Sequence, residues 1–352
     1  MTLKDHILMT IYQQKNPKPI KILFPEAENE KIQAVTLKLL NEEFNVNNQK
    51  IKVSKLITPV LLFKKNETIP SNLKDYAVIV ADKEKLKLSQ ELYQLRKDKG
   101  LTLDQAQTLL DGKNYYGMML LKRQAVDCLV GGINFTTADI LRPALQIIKP
   151  KPGIKTVSST FLMSKNQELY LFADGSINIK PTSDQLIDIA KASVDLTQSL
   201  NLKAFDDLHF SEIKLALLSY STNGSGSGED VDKMHNVAVV LKSTDWGKQR
   251  VAVAGEIQFD AAFDELTRKK KFPELSFSGP CNVYIFPDLN ASNIGYKIAQ
   301  RLGGYQAIGP VILGLNQPVN DLSRGATIDD IFFTSLVACV QVQLKSGFNG
   351  GQ

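Results

Sequence analysis

Apolar residues along the 352-residue chain fall into two alternating patterns. Short runs rich in Val, Ile, Leu and Ala occur at residues 20–24, 77–80, 125–130, 215–219, 251–254 and 283–286. Between them, apolar positions recur at helical spacing, as in Ile32/Val35/Leu39, Leu186/Ile189/Ala190/Val194 and Ile294/Ile298/Leu302. A strand that is apolar at successive positions is buried on both faces, the condition of a parallel strand covered by helices. The alternation predicts an α/β fold with parallel sheets. Lys149-Pro150-Lys151-Pro152-Gly153 cannot continue a helix and reads as a crossing segment. The Gly-rich stretch from Gly303-Gly304 to Gly314 offers a return. The expected organisation is a first domain of residues 1–152 plus 310–352 and a second, inserted domain of 153–309. Residues 346–352 read as a loose tail.

Composition narrows the function. Hydrophobic residues make up 43% of the chain, enough for a large core. Lys+Arg is 42 against Asp+Glu 37, a net charge of +5 without an Arg-rich tract. Nucleic acid is therefore not expected as a partner, whereas a small anionic substrate is compatible. The apolar runs fall far short of the ~20 residues a membrane helix needs. Residues 1–14 mix charged with apolar positions and lack a signal peptide's apolar block, so a cytoplasmic, membrane-free protein is expected. Cys128, Cys281 and Cys339 are too few and too far apart for a disulfide framework. His6, His209 and His235 give no zinc-binding spacing, so no metal is expected.

Four segments could carry chemistry. In the first, a strand ending near Leu313 leads into a polar loop with Ser323-Arg324-Gly325, after which Thr327-Ile328-Asp329-Asp330 opens a helix. Thr327 with Asp330 resembles a capping box, and the face Phe332/Phe333/Leu336/Val337/Val340/Leu344 has helical spacing. A hydroxyl, a flexible Gly and an Arg at a helix N-terminus suit a phosphate, although on local sequence alone a surface Arg and a capping Asp are the favoured reading. The second, Gly131-Gly132 through Arg142-Pro143, is a strand end, a polar turn and a helix. Ligands of open α/β sheets sit at such strand ends, and Arg142 is either a phosphate ligand or a solvated helix charge. In the third, Arg96 closes a helix before Lys97-Asp98-Lys99-Gly100, which dipole and C-cap physics alone would explain. The fourth, residues 221–228, is a Gly/Ser run without the Gly-Lys-Ser/Thr ending of a nucleotide loop, and reads as a mobile loop.

Taken together, the segments resemble one family. Phe286-Pro287-Asp288-Leu289-Asn290, Asn293-Ile294-Gly295-Tyr296-Lys297, Gln300-Arg301-Leu302-Gly303-Gly304 and Asn320-Asp321-Leu322-Ser323-Arg324-Gly325 resemble the phosphate acetyltransferases. So do Phe24-Pro25-Glu26, Leu141-Arg142-Pro143-Ala144 and residues 255–262, in the family's order along nearly the whole chain. Ala27 stands where the family often has Gly after Pro-Glu. The resemblance implies two α/β domains with a cleft between them, similar to the isocitrate and isopropylmalate dehydrogenase fold, and a homodimer. It implies Ser323, Arg324 and Asp330 as catalytic residues, and Arg96, Arg142, Asn320 and Gly325 as substrate-binding residues. It implies acetyl-CoA, phosphate and acetyl phosphate as reactants, with coenzyme A as a substrate and no permanently bound cofactor.

The implied reaction is reversible acyl transfer through a ternary complex. Toward acetyl-CoA, the CoA thiol attacks the acetyl carbonyl while Asp330 acts as base, Arg324 clamps the phosphoryl oxygens and Ser323 donates to developing charge. An ordinary thiol and an ordinary Asp carboxylate are mismatched by ~4.6 pKa units, roughly 6 kcal/mol, so burial of the base, cations such as Arg324 beside the thiol, or both must narrow the gap. No Cys–His pair suggests a covalent acyl-enzyme. Two other readings stay open: a phosphate butyryltransferase, and a non-catalytic acetyl-CoA-sensing domain like that of some malic enzymes.

Overall fold

The computed structural model describes residues 2–204, 210–247 and 249–342. Leu344 and the expected loose tail lie outside them. The chain divides into two compact units, Met1–Pro152 with Leu315–Gln352, and Gly153–Gly314.

The first unit begins with α1 (Leu3–Gln13), β1 (Ile20–Phe24), α2 (Glu30–Asn41) and a small hairpin of β2 (Glu43–Val46) and β3 (Gln49–Lys52). It continues with β4 (Ile57–Phe63), β5 (Ala77–Ile79), α3 (Asp82–Arg96), α4 (Leu103–Leu109), α5 (Lys113–Lys122), β6 (Cys128–Gly131) and α6 (Thr137–Pro143). The second unit holds β7 (Ser158–Lys165), β8 (Glu168–Ala173), α7 (Ser183–Ser199), β9 (Ile213–Leu218), α8 (Glu229–Lys242) and β10 (Val251–Ile257). It closes with α9 (Phe259–Phe263), α10 (Glu265–Lys271), β11 (Val283–Ile285), α11 (Leu289–Arg301) and β12 (Gln306–Leu313). The chain then returns to the first unit as β13 (Val319–Asp321) and α12 (Ile328–Gln341).

In the first unit the sheet order is β13-β6-β1-β4-β5, with every pair parallel, as the alternation of apolar runs and helices predicts. Asp321 lies opposite Gly131, so the carboxyl ends of β13 and β6 stop at one level beside β1. Helix α12 buries Ile331, Phe332, Leu336, Val337 and Val340, and almost every later position as well. A helix apolar nearly all round must lie inside its unit. Each such side chain contributes about 1.5–3 kcal/mol by leaving water, which fixes where the N-terminus of α12 can be.

The second sheet runs β10-β9-β11-β8-β7-β12 and departs from the expectation of a purely parallel sheet. β7 joins β8 through a tight hairpin, and β12 returns antiparallel along β7. The pairing of β12 also moves the return of the chain. Residues 310–314, expected in the first domain, stay with the second unit because Val311, Ile312 and Leu313 pair with Thr160, Ser159 and Ser158.

Helix α11 forms where its periodicity predicts, and Ile294, Ile298 and Leu302 of its apolar stripe are 59%, 52% and 86% exposed. One further expectation changes. The Gly/Ser segment at 221–228 is pinned rather than loose. The buried Glu256 carboxylate accepts from the Ser221 hydroxyl and the Gly224 N–H, and Ser221 Oγ in turn accepts from the Gly226 N–H.

Candidate active site at the carboxyl ends of β13, β6 and β1

Each of the three adjacent strands β13, β6 and β1 delivers a polar turn at the end of the sheet where open α/β folds bind ligands. The turn after β13 is anchored by apolar residues on both sides: Leu322 is 3% exposed and Ala326 5%. Their burial leaves Ser323, Arg324 and Gly325 facing solvent. Inside the turn, the Ala326 N–H donates to the Ser323 carbonyl at 2.8 Å, and the Gly325 N–H donates to Ser323 Oγ at 3.3 Å. Lys31 of α2 donates to the Ala326 carbonyl at 2.8 Å, adding a cation beside the turn.

The turn runs straight into α12, and the capping box that the sequence suggests is complete. Thr327 Oγ1 accepts from the Asp330 N–H at 3.1 Å, and Asp330 Oδ2 accepts from the Thr327 N–H at 2.9 Å. Lys38 of α2 pairs with Asp329 at 2.6 Å and lies 4.6 Å from the centre of the Phe332 ring. Ser323, Arg324, Gly325 and Asp330 thus share one helix entrance, where aligned backbone N–H groups and the helix dipole favour an anion.

The turn after β6 is organised by a residue the sequence reading gave no role. Glu26, 1% exposed at the end of β1, accepts backbone N–H groups from Gly132 at 2.6 Å, Ile133 at 3.2 Å, Phe135 at 2.9 Å and also Asn134. A buried carboxylate with four donors is a strong clamp. Glu26→Ala would leave these N–H groups partly unmatched, at about 1–3 kcal/mol for each buried donor. A fall in unfolding free energy of about 3 kcal/mol or more is expected from denaturant titration; an unchanged midpoint would show that the turn holds itself.

The clamped turn leads into α6, capped reciprocally by Thr136 and Asp139. Thr136 holds the Asp139 carboxyl below its ordinary value. Arg142 lies exposed in the last turn of α6, and Arg96, half-buried, ends α3. Both act on one neighbour, Tyr115, whose hydroxyl donates to Gln146 Oε1 at 2.9 Å. Burial pushes the Tyr115 hydroxyl up, and the charges of Arg142 and Arg96 oppose that rise. Asn320 is placed differently from the other expected site residues. It is fully buried in β13, and its Nδ2 donates to Gln341 Oε1 of α12 at 2.7 Å, so its side chain ties strand to helix. The groups around Ser323 and around Arg142 are joined by one further bond, from Thr137 Oγ1 to Asp321 Oδ2 at 2.7 Å.

The second unit carries an apolar cavity of about 460 Å³. Its lining includes Tyr170, Phe259, Phe263, Tyr284 and Ile298, without a charged group.

Known proteins match along nearly the full length. A sequence profile of the family described as "Phosphate acetyl/butaryl transferase" matches residues 6–339. The chain is 46% identical over 340 residues to a protein of Mycoplasma capricolum subsp. capricolum named phosphate acetyltransferase, covering 94% of this chain and 98% of that one. It is similar in structure to a phosphotransacetylase from Staphylococcus aureus, at TM-score 0.79 and 36% identity, covering 97% and 99% of the two chains. A phosphotransacetylase from Streptococcus pyogenes matches at TM-score 0.79 and 35% identity over the same shares. With its motif residues set on the turns after β13 and β6 and a profile match spanning both units, the chain belongs to the phosphate acetyl/butyryl transferase family.

Proposed function

We propose that the protein catalyses reversible acetyl transfer between coenzyme A and inorganic phosphate, acetyl-CoA plus phosphate giving CoA plus acetyl phosphate, through a ternary complex. The observation that carries this reading is the Ser323-Arg324-Gly325 turn held open at the capped N-terminus of α12. Toward acetyl-CoA, the thiol sulfur forms a bond to the acetyl carbonyl carbon, and the carbon–oxygen bond to phosphate breaks. The thiol proton passes to Asp330, and phosphate leaves against Arg324 and the α12 dipole. Ser323 donates to the carbonyl oxygen as charge builds on it. Arg96 and Arg142 hold the anionic groups of CoA or phosphate, and Gly325 lets the turn's backbone come close to the phosphoryl oxygens. Cys128, Cys281 and Cys339 are all buried, and burial pushes the Cys281 thiol up to about 12, so none is poised as an acyl carrier.

Direct transfer makes a kinetic forecast. Initial rates with acetyl-CoA and phosphate varied together should give intersecting double-reciprocal lines. Parallel lines would mean an acyl-enzyme and overturn the ternary complex. Acetyl-CoA should also show a higher kcat/KM than butyryl-CoA.

The same reading places the protein in the cytoplasm as a homodimer. Among the described residues no helix is long and apolar enough to cross a membrane, and none of the three cysteines is in a disulfide. Support for a dimer comes from the second unit, where exposed Ile298 of α11 lines the apolar cavity with exposed Phe259 and Phe263, and exposed Ile294 and Leu302 stand four residues to either side of Ile298. So much uncovered apolar surface on one face suits a symmetric, self-complementary interface. Wild-type protein should scatter light as two chains, and Ile298→Glu as one chain with an unchanged fold by circular dichroism. A wild-type mass of one chain at micromolar concentration would remove the dimer.

A further inference from the structure

In the sequence motif Asn320–Gly325, the carboxylate of Asp321 is given no task by the reaction. Asp321 is the last residue of β13 and is 1% exposed. Its Oδ2 accepts from the hydroxyl of Thr137, the first residue of α6, at 2.7 Å. Its Oδ1 is buried and makes no hydrogen bond of good geometry. Its surroundings leave no slack. Gly132, at φ +118°, packs so closely that a Cβ there would stand 2.2 Å from Asp321 Oδ1 and 2.7 Å from the Leu322 nitrogen. The turn after β13 and the turn after β6 therefore meet at this carboxyl, with Ser323 and Arg324 beginning two residues beyond it.

We infer that Asp321 is a positioning residue for the transfer reaction, which through Thr137 locks the Ser323–Arg324 turn to the start of α6 and so holds Arg324 and Arg142 in one fixed geometry. Arg142 is five residues along α6 from Thr137, on a short helix continued directly by a π-helical turn at Ala144–Ile148. A shift at Thr137 is therefore carried to Arg142. The inference rests on the transferase reading, in which both arginines handle anionic groups of the substrates.

Titration gives a second, activity-independent view of the same carboxyl. Burial pushes Asp321 up to about 7, with the negative charge of Glu26 adding to the effect while Thr137 and the Leu322 N–H oppose it. Glu26, from the end of β1, is the charged group facing it among the described residues. Because the folded state holds this proton more tightly than the unfolded chain, the group's contribution is complete below the ordinary value of 3.8 and is lost as pH rises through about 7.

The test compares Asp321→Ala, Asp321→Asn, Thr137→Val and Thr137→Ser in the full-length enzyme, with acetyl-CoA and phosphate as substrates. Asp321→Ala and Thr137→Val should each lower kcat/KM by about 10–100-fold, the scale of a misplaced binding group. Asp321→Asn keeps an acceptor for Thr137 and Thr137→Ser keeps the hydroxyl, so both should stay within about threefold of wild type. The Asp321→Ala/Thr137→Val double variant should lose no more than the worse single one, since both remove one bond. The melting temperature of Asp321→Asn should gain on wild type between about pH 4 and about pH 7 and level off above, because an amide cannot ionise. Wild-type kcat/KM in Thr137→Val, alongside any fall in melting temperature, would reduce the bond to scaffolding and overturn the inference. A melting difference independent of pH would overturn the buried placement on which it stands. Wild-type protein without phosphate-dependent turnover would instead defeat the transferase reading itself.

Discussion

Asp330→Asn is expected to lower turnover by roughly 10²–10⁴ while leaving the protein almost as stable as wild type. The two jobs of Asp330 respond differently to this change. As the third residue of α12, Asp330 accepts from the Thr327 N–H, and an Asn carbonyl oxygen can do the same. What the helix loses is a charge at its N-terminus, about 0.3–1 kcal/mol. As a base for the CoA thiol, an amide is useless. The deficit should shrink as pH rises, because solvent then ionises a thiol whose ordinary pKa is near 8.5. Stopped-flow turnover across pH, in the direction that forms acetyl-CoA, should therefore rise more steeply in the variant than in wild type. Near-wild-type turnover, or a lowered melting temperature as the sole defect, would leave Asp330 a helix cap and the base elsewhere.

The second large effect is expected at Arg324. Arg324→Lys keeps the charge but removes the planar fork that can hold two phosphoryl oxygens at once. Loss of one preorganised electrostatic contact costs about 10²–10³ in kcat. Stability should hardly move, because the side chain is exposed on a turn anchored by Leu322 and Ala326 instead. In the direction that forms acetyl-CoA, most of the rate loss should appear in kcat when acetyl phosphate is saturating, since the clamp strengthens as charge develops on the leaving phosphate. A Lys variant that turns over at the wild-type rate would make Arg324 an ordinary surface cation.

The sequence made some of this legible and hid the rest for identifiable reasons. Strands β1, β6, β9, β10 and β11 contain short runs dominated by apolar residues, which makes them legible in the sequence. β7 was missed because it opens with Ser158, Ser159 and Thr160, polar residues that are nonetheless fully buried. Ser159 can be buried because its hydroxyl donates to Asp174, and Thr160 because its hydroxyl donates to the Phe172 carbonyl. β4 carries Pro59, an ordinary warning against a strand. In α11 the apolar stripe was visible, but periodicity gives a stripe's existence and not whether it faces a core or another surface.

The site divides in the same way. Ser323, Arg324 and Asp330 stood out because a polar turn, a Gly and a capping pair fall together within eight residues. Glu26 and the Asp321–Thr137 bond did not, because their meaning depends on partners distant in the chain. The N–H groups that Glu26 collects lie 106–109 residues away, and Thr137 lies 184 residues from Asp321. No local pattern encodes such an encounter; the order β13-β6-β1 creates it.

The central claim is acetyl transfer to inorganic phosphate, and the most direct measurement is release of free thiol from acetyl-CoA by the purified protein. Release should require phosphate, saturate with it, and be supported by arsenate, whose geometry and charge fit the same Arg324 and α12 N-terminus. Thiol release that proceeds equally well without either oxyanion, or no release in the presence of both, would contradict the account.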